Sequence, residues 1–166
     1  AKIYGKECYV GKRAAKRCVH SGYRLFHIAT HGFLQREGVD NVWYASALSF
    51  AGIVDWLDSG VEQSAYGNGI LTADEISRIE LKGTELVVLS ACNSGNSLLD
   101  DTNHLAGLHI AFAAAGVRYI ISSLWEVDDL ATAVLMQLFY EEWNSKKSVE
   151  EALLNAKNKI RFMTAN

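Results

Sequence analysis

The sequence predicts an α/β protein built on a mainly parallel sheet. Short apolar runs of strand length alternate with helical segments, an order that yields parallel strands joined by helical crossovers. Two capping boxes, at Thr72–Glu75 (TADE) and Ser148–Glu151 (SVEE), mark helix starts. A glycine, Gly116, follows a run of small residues where a helix would end in a left-handed cap. With 166 residues, 49% hydrophobic and 21% charged, the chain fits one globular domain and is too apolar to be disordered. No apolar run approaches the ~18 residues of a membrane span.

In chain order, residues 11–20 (GKRAAKRCVH) read as a basic amphipathic helix and residues 23–29 (YRLFHIA) as a short buried strand. Residues 45–53 (ASALSFAGI) read as a second strand, and residues 54–69, rich in acids, Ser, Gly and Asn, as a loop. The Thr72 box opens a short helix, and Lys82 and Gly83 close that segment. Residues 85–90 (ELVVLS) form a strand with a Val/Leu core, followed by a turn at residues 92–95. A small-residue helix covers residues 104–115, a strand residues 117–123 and an apolar helix residues 129–143; the Ser148 box opens the last helix.

Charge is uneven. Residues 1–24 carry seven basic side chains and one acid, whereas the remainder carries nine bases and eighteen acids. Residues 1–22 are thus a basic segment on an acidic body. Either it is a solvated face or it meets an anionic partner, with nucleic acid a rival function. Three widely spaced cysteines, Cys8, Cys18 and Cys92, do not make a disulfide framework, which points to a reducing, cytoplasmic setting. A Cys8–Cys18 pair remains open. No signal peptide is visible.

Two strand ends carry reactive residues. Strand 23–29 runs into Thr30-His31-Gly32, and strand 85–90 into Ala91-Cys92-Asn93-Ser94-Gly95. As parallel neighbours the two strands bring His31 and Cys92 to one edge of the sheet, the edge where such folds bind ligands. An imidazole beside a thiol of pKa ~8.5 generates the nucleophilic thiolate. Gly32 and Gly95 would let the chain turn tightly, and the amides of Gly32 and Cys92 would form an oxyanion hole. Metal binding is the competing use. His27 and His31 have two-ligand spacing, but they lie on a strand and no further ligands complete a site, so no metal and no cofactor are expected. His104 and His109 fall on different helix faces. His27 reads as a core histidine.

The segments HIATHG, GILTADEI, LKGTELVVLSACNSG, GLHIAFAAAGVRYIISSLWEVDD and SVEEALLNAK together resemble the CHAT domain, a caspase-like family often joined to TPR repeats. The resemblance covers about residues 23–161. It implies a three-layer caspase-like sandwich and a cysteine endopeptidase with His31 as general base and Cys92 as nucleophile. Its substrate would be a specific protein partner, gated by a TPR-like repeat or a sensor domain, with no membrane partner and nucleic acid only indirectly. An inactive scaffold of the same fold is the alternative. By analogy with separases, Asp129 or else Asp128 would line a pocket for a basic P1 side chain, with Trp125 as a wall; Asp129 serves equally as a cap for the helix that follows. The chain departs from the family pattern at residues 102–104 and at Glu126, which replaces a proline. It shows no counterpart of the strand and helix that open a caspase-like sheet. Residues 1–166 therefore read as one protease domain lacking those elements, with an exposed apolar sheet position near residues 23–29.

Overall fold

A computed structural model describes residues 9–34, 45–62, 66–90, 98–123 and 127–163, and of these the side chains of all but residues 34, 98–105 and 163. They fall into two compact units, one within Gly5–Glu126 and one within Val127–Asn166. The larger unit runs β1 (Leu25–Ala29), β2 (Gly32–Leu34), β3 (Ser46–Ser49), α1 (Ile53–Ser59), β4 (Ile70–Thr72), α2 (Ala73–Arg78), β5 (Leu86–Ser90), α3 (Leu98–Ala114) and β6 (Tyr119–Ser122). The smaller holds α4 (Asp129–Asn144) and α5 (Val149–Met163). The α/β class and the parallel sheet match the sequence reading.

Strands β1, β5 and β6 form a parallel sheet in the order β1-β5-β6. Leu25 pairs with Leu86 and Ala29 with Ser90 on one side of β5, and Leu86 pairs with Tyr119 on the other. Alternate strand positions point to one face. Phe26, Ile28, Val87, Leu89 and Ile120 use theirs to join Leu108, Ala111 and Phe112 of α3 in the main core. At the start of the sheet, Arg24 Nε bonds Glu85 Oε2 at 2.5 Å, and Thr84 Oγ1 donates to the Tyr23 carbonyl at 2.8 Å.

The end of α3 follows from its sequence. Gly116 adopts φ 99°; its amide donates to the Ala113 carbonyl at 3.0 Å, and the Val117 amide to that of Phe112 at 3.1 Å. These are the two bonds of a Schellman motif, which needs a residue without Cβ strain at this position. The Thr72 capping box is present in full, with Glu75 N donating to Thr72 Oγ1 at 3.1 Å and Thr72 N to Glu75 Oε2 at 2.9 Å. The Ser148 box forms likewise, with both bonds at 3.2 Å.

Five readings are corrected. Residues 11–20 form no α-helix but two 3-10 turns, Gly11–Arg13 and Lys16–Cys18. A ten-residue helix is marginal alone, and here tertiary polar contacts take over. The Ala14 carbonyl accepts from Ala51 N at 2.9 Å, and Lys16 Nζ reaches Asn68 Oδ1, the Ile70 carbonyl and Glu75 Oε1 at 3.0, 3.0 and 2.7 Å. Lys16 is thus committed within the molecule, while Lys12, Arg13 and Arg17 stay exposed. Residues 54–69 are not all loop, since α1 occupies Ile53–Ser59 and stops at Gly60 with φ 67°. The strand read at 45–53 is only β3. Finally, β2, β3 and β4 form an antiparallel sheet in that order, of which only β3 was expected. Helix α3 also starts six residues before the expected position. Among the described residues, no helix is long and apolar enough to cross a membrane.

In the smaller unit, Met136, Phe139 and Tyr140 of α4 and Val149, Ala152 and Ala156 of α5 are buried. Phe139 and Trp143 stack at 6.1 Å. Glu142, 8% exposed, is enclosed by polar partners rather than by apolar core. Lys147 Nζ donates to its Oε2, Lys159 Nζ to its Oε1 at 2.5 Å, and Asn155 Nδ2 to its Oε2 at 3.1 Å. The bonds from Lys147, then Lys159 and Asn155, hold the Glu142 pKa down at about 2. A carboxyl whose folded pKa is depressed stabilises fully above its unfolded value, and the contribution fades as pH falls through the folded one. Thermal melts followed by circular dichroism should therefore show this unit losing stability from about pH 4.5 to about pH 2. In Glu142→Gln the melting temperature should be lower at pH 7, and that acid-dependent decline smaller.

Candidate active site

Chain direction and register position the site. Because β1 and β5 are parallel with Ala29 opposite Ser90, both strands end at the same edge. His31 lies two residues beyond Ala29, and Cys92 two residues beyond Ser90. Cys92 itself, Gly95 and Trp125 lie outside the described residues, as does Cys8.

His31 sits at the joint between the two sheets, after β1 has left the parallel sheet and before β2 begins. The polar groups of this joint are bound on both sides. The Thr30 amide donates to the Ser90 carbonyl at 3.2 Å, adding one more rung to the ladder with β5. The Thr30 hydroxyl donates to the Ser49 carbonyl at 2.5 Å and lies 3.1 Å from Ser49 Oγ. The His31 carbonyl accepts twice, from the Ser49 amide at 2.9 Å and from Ser49 Oγ at 3.1 Å. The backbone is thereby held while the imidazole remains exposed. Among the described residues, no side chain hydrogen-bonds the His31 ring.

Gly32 is buried and is the first residue of β2. It lies in a strand rather than in the tight turn expected of it. In antiparallel ladders, hydrogen-bonded pairs alternate with non-bonded ones. His31 and Ser49 make a bonded pair, and the next pair is Gly32 with Leu48. The alternation directs the Gly32 N–H away from β3, free of that ladder. A glycine whose amide points out of the β3 ladder suits an oxyanion-binding position.

The remaining histidines differ from expectation. His27 is no core residue. It sits in the middle of β1 and is exposed, with Nε2 3.1 Å from Ser90 Oγ, and desolvation holds its pKa below the usual histidine range. On the opposite face of the sheet, His109 Nε2 lies 2.8 Å from Ser122 Oγ, its pKa also lowered by burial. The side chain of His104 is outside the described set. Among the described residues, no three His, Cys, Asp or Glu side chains gather as a metal site would require. Cys18 carries a free thiol, which donates to the Arg13 carbonyl at 3.5 Å.

In the smaller unit, the cap of α4 is Asp128 and not Asp129. Asp128 Oδ1 accepts from the Ala131 amide at 2.8 Å, and Asp129 is the first helical residue. Both are exposed. The Asp128 carboxylate is committed to the helix end; that of Asp129 is not needed for the cap. Sequence reasoning missed Thr30 and Ser49, whose only signal was their position around a strand end.

A family model described as CHAT domain matches residues 3–164. No curated protein and no solved structure matches the chain.

Proposed function

The chain belongs to the CHAT domain family, a caspase-like family of peptidase type, and from that premise we propose that it is a cysteine endopeptidase working through His31 and Cys92. His31 takes the thiol proton, and the thiolate attacks the scissile carbonyl. The amides of Gly32 and Cys92 hold the oxyanion, which is charge that exists only near the transition state. His31 then protonates the departing amine as the C–N bond breaks, leaving a thioester. Water attacks the thioester with His31 as base, releasing the acid and restoring the thiol. The observation that carries this reading is the parallel register of β1 and β5, with His31 and Cys92 equally far beyond one paired rung.

The substrate is a specific protein, and a TPR-like repeat or sensor domain gates its cleavage in a reducing, cytoplasmic setting. Asp129 recognises a basic P1 side chain, as its carboxylate is free of the cap that occupies Asp128. Labelling with an acyloxymethyl-ketone probe at neutral pH tests the dyad. Selective modification of Cys92, lost in His31→Ala, is the expected result; equal modification of Cys8, Cys18 and Cys92 refutes it and leaves an inactive scaffold. A fluorogenic peptide panel should show cleavage after Arg or Lys, weakened in Asp129→Asn. Preference for an apolar P1 would dismiss the acidic pocket.

A further inference from the structure

We infer that Thr30 and Ser49 are positioning residues that hold His31 in its working orientation. The inference rests on the reading of His31 as the general base. Three observations support it. First, the hydroxyls of Thr30 and Ser49 lie 3.1 Å apart, and each donates across the joint, Thr30 Oγ1 to the Ser49 carbonyl and Ser49 Oγ to the His31 carbonyl. Secondly, the ladder already supplies the Ser49 amide to the His31 carbonyl at 2.9 Å. The Ser49 hydroxyl is a second donor to an oxygen that has one, and fold completion does not call for it. Thirdly, the Thr30 amide is bonded to the Ser90 carbonyl at 3.2 Å, so the same two-residue joint is tied to the strand that leads to Cys92. The set fixes the His31 peptide plane against both strands, and with it the direction in which Cβ projects. A general base displaced by about 1 Å can cost two orders of magnitude in rate, so a bond that fixes a peptide plane acts on chemistry while touching no substrate.

The test is the pH profile of Cys92 alkylation by iodoacetamide, read site by site by mass spectrometry with Cys18 as internal reference, in the full chain. In the unaltered protein, Cys92 should react well below the ordinary thiol pKa of ~8.5. Thr30→Val, which keeps the shape and removes the hydroxyl, and Ser49→Ala should each move that profile upward by about one pH unit. Cleavage of an Arg-P1 fluorogenic peptide should fall about tenfold in kcat with KM unchanged. Thr30→Ser and Ser49→Thr restore the hydroxyls and should restore the profile. Folding is monitored by thermal melts, and the conservative pair gives the answer should Thr30→Val or Ser49→Ala fold poorly. A profile unmoved in folded Thr30→Val and Ser49→Ala overturns the inference and leaves the dyad standing, as does failure of Thr30→Ser and Ser49→Thr to restore it. An ordinary thiol profile in the unaltered protein, insensitive to His31→Ala, overturns the dyad and the inference together.

Discussion

Replacing His31 with alanine should lower Cys92 alkylation at pH 6.5 by about tenfold and peptide cleavage by about 10³-fold or more. The two numbers differ for a physical reason. Without a neighbouring imidazole, a thiol of pKa ~8.5 is about 1% thiolate at pH 6.5. That alone would predict a loss near 100-fold in alkylation. However, a thiolate of higher pKa is intrinsically more nucleophilic, with a Brønsted slope of about 0.4–0.5, and this recovers roughly a factor of ten. Cleavage carries that same deficit and a second one. The variant also lacks the acid that protonates the leaving amine, a role worth about 10²–10⁴-fold. Iodoacetamide releases iodide, which needs no proton, and so registers only the first deficit. Parallel measurement of both rates in His31→Ala separates base from acid. Equal losses in the two assays would mean that another group delivers the proton. No loss in either would remove His31 from the mechanism.

The parts of this fold that were legible in the sequence are those with local signals. The Val/Leu run of β5, the capping boxes at Thr72 and Ser148, and Gly116 each announce themselves within a few residues. Strands β2 and β4 are three residues long, too short for any periodicity to appear. Helix α1 was hidden by Asp55, Asp58 and Ser59, which resemble loop residues; its apolar Val54 and Leu57 face solvent, so no buried stripe betrayed it. The N-terminal segment failed in the opposite way. Its alanines and bases favour a helix, yet Lys16 gains three polar partners that are distant in sequence, and tertiary contacts override propensity. The same contrast governs the site. His31 was legible because an apolar strand ends directly before it. Ser49 was not, because its pairing with His31 depends on an antiparallel register across eighteen positions, and pattern alone does not fix such a register.

Phe112→Ala should be the most destabilising single change in the larger unit, costing about 3–5 kcal/mol. The ring is fully buried in a cluster with Ile28, Val87 and Leu89. The substitution would leave the backbone intact, since the bond from Val117 N to the Phe112 carbonyl involves no side chain, and alanine favours helix. The whole cost is therefore lost burial plus a cavity that close-packed neighbours fill only in part. For a chain of this size, 1 kcal/mol corresponds to about 2–4 °C, so melting should fall by roughly 10 °C. Ile110, two residues earlier on α3 and 51% exposed, supplies the control: Ile110→Ala should stay within about 0.5 kcal/mol. Equal melting of the two variants would show that Phe112 does not anchor α3 against the sheet. The effect should also separate from the chemistry. A destabilised but still folded population presents the same joint at His31, so the pH profile of Cys92 alkylation at 25 °C should be unchanged in Phe112→Ala. The hydroxyl variants at Thr30 and Ser49 should do the reverse, moving the profile with far less effect on melting. A core that sets how long the site persists, and a joint that sets where its imidazole points, are thus distinguishable by two measurements on the same proteins.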